Sequence, residues 1–141
     1  MRTTLRSAII CSAIWSAFAA ADPTYLEKMT GLPAVCTIDA MYQQTEVDAA
    51  SRKYGEGSKR WSDAYHRRLD SVRACVDDAK KKGKALYKAE VERAPSLESE
   101  LADMYASWLN YLDHLTNDDR DSHEQAYEAS ANRVKAHADL L

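Results

Sequence analysis

Apolar residues recur at steps of three and four along most of this chain, and no stretch alternates apolar and polar at a period of two. That rhythm belongs to helices with one buried face. The longest run is Tyr65, Leu69, Val72, Val76, Ala79, Gly83 and Leu86, a seam like that of a coiled coil. It predicts a helix from a cap at Ser58 to about Arg93, where Ala94-Pro95 stops it. Gly83 weakens this helix by about 1 kcal/mol relative to Ala and marks a kink or a close crossing. A second run, Leu97, Leu101, Met104, Trp108, Tyr111 and Leu115, predicts the next helix. Ser96 is its expected cap, and Glu98 and Glu100 suit the positive end of the helix dipole.

The rhythm then fails. Tyr127, Ala131, Val134, Ala138 and Leu141 form a new seam, out of phase with the one before. We place a break at "TNDDRDS", residues 116–122, with one bent helix over 97–140 as the alternative. Toward the start of the chain, Val35, Ile38, Tyr42, Thr45, Ala49 and Arg52 predict a helix from Pro33 to about Lys53. Gly55 supplies the left-handed position that ends it. A short helix from Asp22-Pro23 to near Gly31 precedes it. The expectation is an all-α antiparallel bundle of three to four helices, forming one domain over residues 22–141.

The turn between the first two long helices, "YGEG", lies midway between Cys36 and Cys75. In a helical hairpin, residues equidistant from the turn sit at equal heights, here about 28 Å from the tip at the α-helical rise. Both cysteines flank apolar seam positions, so their Cα atoms fall near the roughly 5.5–6 Å that a disulfide prefers. Such a bond contributes about 3–4 kcal/mol in the chain-entropy account. A redox or zinc site fits less well, because two cysteines this far apart match neither CxxC nor a zinc spacing.

The start of the chain changes the setting. Arg2 and Arg6 precede the apolar run "SAIICSAIWSAF", followed by "AFAAAD". This reads as a signal peptide, residues 1–21, cleaved after Ala19 or Ala21. The run is short for a membrane anchor, and Cys11 lacks the small preceding residue of a lipidation site. Cleavage removes two basic residues and Cys11, leaving 17 basic and 22 acidic residues, net −5, and two cysteines. An exported chain with an even cysteine count suits a disulfide. The net charge disfavours nucleic acid and anionic membrane as partners. A periplasmic or secreted location follows from this reading.

Charge is uneven. Residues 58–94 carry net +5, densest at Lys80, Lys81 and Lys84, whereas residues 95–141 carry net −7. The second helix is thus a basic rod that either pairs with acidic neighbours or offers a face to an acidic partner. Tyr54, Trp61 and Tyr65 surround the hairpin tip, and Tyr54 and Trp61 suit a protein-binding hot spot.

Candidate chemistry is sparse. "NDDRDSHEQAYE" places Asn117, Asp119, Asp121 and Glu128 at positions 1, 3, 5 and 12 of a calcium loop. Ser122 stands where that loop needs Gly, so an acidic helix joint, with Asp118, Asp119 or Asp121 capping the last helix, is the better reading. His66, His114, His123 and His137 form no HExxH and no His-x3-His, and read as solvated surface residues. His123 and Glu124 with Asp119 are the nearest to a metal set. No nucleophile motif, catalytic constellation or cofactor-binding motif is present. The sequence therefore points to an exported helical protein that works by non-catalytic protein binding, of inhibitor, immunity or adaptor type. Tyr54, Trp61, Lys80, Lys81 and Lys84 are its contact candidates. The alternative is a metal- or small-ligand-binding protein using residues 117–128. The exported product is expected to show no reactive thiol before reduction and two afterwards; two free thiols in the unreduced protein contradict the hairpin scheme.

Overall fold

The computed structural model describes residues 24–139. The expected signal peptide (residues 1–21), the expected cap at Asp22-Pro23 and the seam position Leu141 lie outside the described residues. Four α-helices follow in order: α1 (Tyr25–Tyr54), α2 (Lys59–Arg93), α3 (Glu98–Asp113) and α4 (Arg120–Ala138). A single 3-10 turn, Pro95–Leu97, joins α2 to α3. No strand occurs among the described residues.

The first helix starts earlier than expected and runs through Gly31 and Pro33 without a break. Its N-cap is Thr24, in a capping box with Glu27: the Thr24 hydroxyl accepts from the Glu27 N–H, and the Glu27 carboxylate accepts from the Thr24 N–H. These bonds hold the Glu27 carboxyl below the usual carboxylate range, the backbone bond contributing most. Proline inside a helix removes one N–H and leaves the carbonyl four residues earlier without its partner. That carbonyl belongs to Met29, and the Trp108 indole Nε1 donates to it at 2.9 Å. Both side chains are fully buried. The break expected at Gly31–Pro33 is thus absent because α3 supplies the donor that Pro33 lacks.

Helices α1 and α2 pair antiparallel about Gly55 and Gly57, whose positive φ values, 83° and 79°, reverse the chain. Ser58 caps α2, accepting from the Trp61 N–H. The Cys36–Cys75 disulfide joins the arms with Cα atoms 5.6 Å apart. Ser71 donates to Asp39 one turn nearer the tip. Each step forward in α1 is therefore matched by a step back in α2, as the midpoint argument required. Helix α3 returns along α2: Tyr87 stacks on Tyr105, Trp108 lies against Gly83, and Lys80 pairs with Asp113. Helix α4 returns along α3, with Tyr111 bonded to Glu124 and Glu100 to His137. The core is built around Met29, Leu101, Met104, Trp108 and Leu112.

All six seam positions expected in the third helix, Leu97 to Leu115, are buried. Two helices, not one bent helix, follow Pro95. Other expectations need correction. Ser96 does not cap α3; the chain enters through the 3-10 turn, and no side chain caps α3. Asp119 stands at the N-cap of α4 without a capping bond from its side chain, which lies against His123 instead. Tyr65 is 38% exposed, and Ala138 is exposed, because α3 does not reach the first and α4 is ending at the second. In α1 the buried stripe is Met29, Pro33, Cys36, Ala40 and Val47, not the stripe through Val35, Ile38 and Tyr42.

The crossing at Gly83 is tight. A Cβ there would stand 2.3 Å from the Trp108 Cη2 atom, and that ring is fully buried. Gly83→Ala is expected to destabilise by about 1–3 kcal/mol through overpacking, against the roughly 1 kcal/mol that Ala gains by helix propensity. Unchanged or raised stability in denaturant melts refutes the crossing. Trp108→Phe leaves the Met29 carbonyl unpaired and is expected to cost about 1–3 kcal/mol beyond lost packing. In a Pro33→Ala background the added N–H at residue 33 satisfies that carbonyl. The two substitutions should then couple in a double-mutant cycle, and strict additivity contradicts the pairing.

A candidate docking face along the first hairpin

Length decides which surfaces stay open. The α1 and α2 segments of 30 and 35 residues span about 45 and 52 Å, whereas α3 and α4, of 16 and 19, span about 24 and 28 Å. Asp113, the last residue of α3, is level with Lys80. The joint beyond it, Leu115 to Asn117, borders Ala40 and Arg68. The hairpin therefore projects past the body of the bundle by about 14 Å, the rise from Lys59 to Arg68. Its own interior is thin there, with Val47 and Ala64 buried between the two arms.

Among the described residues, the large apolar side chains that stay exposed all sit on this hairpin. Val35, Ile38, Met41 and Tyr42 are each more than 60% exposed, and Tyr54 and Tyr65 lie nearer the tip. Val35, Ile38 and Tyr42 form the stripe that the sequence assigns to the core. One residue of phase separates it from the buried stripe, a rotation of about 100° around the helix. The outward stripe continues into an open groove of about 1060 Å³ between the first half of α1 and α4. Ile38, Ala34 and Gly31 form one wall, and Tyr127, Ala131 and Glu128 the other. A Cβ at Gly31 would meet nothing within 4 Å, so α1 and α4 stay apart on this side. Thr30 and Tyr127 close the floor through a 2.9 Å hydrogen bond between their hydroxyls.

The expected contact residues fall in two places. Tyr54 is exposed at the tip, with the Lys53 and Arg60 cations near its ring at 5.2 and 6.0 Å. Trp61 is half-buried and stacks on Tyr65 with ring centroids 5.5 Å apart. The pair borders a shallow hollow with Val47 and Arg52. Residues 51–68 hold six basic and two acidic side chains, so the tip is positive. The lysines stand about 28–35 Å from Trp61 along α2. Lys80 is half-buried and ion-paired with Asp113, while Lys81 and Lys84 are exposed. Exposed pairs such as Lys82–Asp78 contribute little.

The calcium-loop geometry does not form, because α4 begins at Arg120 and residues 120–128 are helical. Glu124 bonds the Tyr111 hydroxyl, and Asp121 pairs with Arg120. His66 and His137 are exposed, but His114 and His123 stack at 3.9 Å beside Asp119. Sequence reasoning missed His114 because it looked for two histidines on one helix, whereas these lie on either side of the joint. No family model, curated protein or solved structure matches this chain significantly.

Four tyrosines between the helices carry a pH dependence. Burial raises the phenol pKa of Tyr25, Tyr105, Tyr111 and Tyr127. At Tyr111 the Glu124 carboxylate adds to the rise, and at Tyr127 the Thr30 hydroxyl partly opposes it. A raised phenol pKa means the unfolded chain ionises first. Stability is then fully present below the unfolded phenol pKa of about 10 and is lost as pH rises through it toward the folded values. The unfolding midpoint is expected to hold from pH 7 to about 9 and to fall above about 10. Tyrosinate absorbance should rise together with loss of helical ellipticity. Ionisation of all tyrosines near pH 10 in the intact fold contradicts this burial.

Proposed function

We propose that this chain is an extracytoplasmic, non-catalytic binding protein that docks an amphipathic helical segment of a protein partner along the outer face of α1. One observation carries the proposal: in a chain with few large apolar residues to spare, four of them stand more than 60% exposed on two turns of one helix. Contiguous exposed apolar surface marks an interaction site. Helix-in-groove recognition uses anchors at steps of three and four, the spacing of Val35, Ile38 and Tyr42. The groove beside Ile38 receives one side of the ligand, and the Tyr54–Trp61 tip receives its far end. The positive tip selects a partner with acidic residues at that end. Lys81 and Lys84 extend the positive charge along α2, while Lys80 holds α3. The disulfide and the basic-then-apolar start of the chain support a location outside the cytoplasm.

A photo-crosslinking residue placed at position 38 in the exporting cell tests this. It is expected to yield one discrete protein adduct, whereas the same residue at the exposed position 103 on α3 yields none. Tyr42→Asp should abolish the adduct at 38 while shifting the melting temperature by less than about 2 °C, as for a solvated position. Absence of any adduct at 38, or equal labelling at 103, defeats the proposal. Reversal of Lys81 and Lys84 to Glu is expected to weaken the contact by less than Tyr42→Asp does.

A further inference from the structure

We propose that the α3–α4 joint is a zinc site formed by His114, Asp119 and His123. One ligand atom from each lies within 4.8 Å of the others. Asp119 and His123 are one turn apart at the start of α4, and the gap from Asp119 Oδ2 to His123 Nε2 is 3.3 Å. Two ligands bound at about 2.0–2.1 Å in a tetrahedron stand about 3.3–3.4 Å apart, so this edge already has the zinc spacing. His114 comes from the C-cap of α3. Its Nδ1 lies 2.9 Å from the Asn110 carbonyl oxygen, to which it donates. The lone pair is then on Nε2, the arrangement that a backbone carbonyl imposes on zinc-bound histidine.

Asn110 serves the second ring as well. Its side-chain amide lies 2.8 Å from His123 Nδ1. Turning that amide presents Oδ1 to an Nδ1–H and frees Nε2 for the metal. Asn110 thus touches both imidazoles, His114 through its backbone carbonyl and His123 through its side chain. The rings are stacked, so His114 must rotate out of the stack to coordinate. Its position at a helix end, half-buried, leaves room for that movement. Two imidazoles and one carboxylate suit zinc and not calcium, which takes six to eight oxygens. Three protein ligands leave the fourth position to water or to a donor from outside. Bound zinc ties the end of α3 to the start of α4.

Titration calorimetry of the disulfide-bonded protein, freed of its signal segment, with zinc sulfate tests the site. One equivalent of zinc is expected to bind with a rise in melting temperature, and calcium is expected to give neither. His114→Gln and His123→Gln should each lower zinc affinity at least tenfold. Asn110→Ala, which removes no ligand and keeps the backbone carbonyl at His114, should lower it about 10–100-fold through loss of the His123 orientation alone. His66→Gln and His137→Gln should change nothing. Lack of saturable zinc binding, or loss spread equally over all four histidines, overturns the site. If a ligand variant fails to fold, the Asn110→Ala titration and the backbone-independent 15N shifts of the wild-type imidazoles on zinc addition decide: unchanged shifts at His114 and His123 overturn it.

Discussion

One hydrogen bond organises this bundle: the Trp108 indole donating to the Met29 carbonyl. Pro33 would otherwise leave that carbonyl without a partner inside the core, a cost of about 1–3 kcal/mol. The indole can reach it only because Gly83 lets the ring lie against the α2 backbone. Four residues on three helices are thereby coupled: a proline that removes a donor, a carbonyl that needs one, a tryptophan that supplies it, and a glycine that makes room. The disulfide fixes the height of α1 against α2, and the indole fixes α3 against both. Once these are set, α4 closes against Tyr111 and Thr30 through Glu124 and Tyr127.

Legibility in the sequence follows the same division. The α3 seam was readable because one face of this helix packs against α2 and α4 and meets α1 through Trp108, so the large apolar residues in step face inward. The disulfide was readable because a turn between two long helices turns sequence distance into height. The stripe on α1 was misread for a physical reason. Its buried positions are Met29, Pro33, Cys36, Ala40 and Val47, where a proline, a half-cystine and an alanine contribute little to any apolar count. Its exposed positions hold Val35, Ile38 and Tyr42, which contribute much. Periodicity gave the right helix and the wrong face. Pro33 misled in the same way, since local propensity cannot know that a tryptophan 75 positions later supplies a donor. The His114–His123 pair was hidden because its proximity depends on the α3–α4 reversal and not on spacing within one helix.

The small residues on the inward side of α1 have a further consequence. Cys36 and Ala40 allow α1 to approach α2 closely, and the bulk that most amphipathic helices turn inward is here turned outward. Such inversion is unfavourable in an isolated chain, because apolar surface stays in water without return. It gives the hairpin a second apolar edge while leaving its first interface intact. The shortness of α3 and α4 adds to this at the far end, since their joint reaches the level of Met41 and Gln44 and leaves the tip uncovered.

Magnitudes show why the groove and tip belong with that edge. Full burial of a Val, Ile, Met or Tyr-sized side chain contributes about 1.5–3 kcal/mol. Val35, Ile38, Met41 and Tyr42, each already partly covered, would together contribute about 4–8 kcal/mol on docking. Association itself costs about 4–15 kcal/mol in lost motion. The stripe alone therefore leaves little net affinity. A ligand that continues into the α1–α4 groove at one end and onto Tyr54 and Trp61 at the other adds contacts with almost no further loss of rigid-body freedom. Arginine and lysine around the tip then act chiefly on encounter rate and orientation. On these energies, the proposed partner gains lasting affinity from this face only by lying along the length of the hairpin.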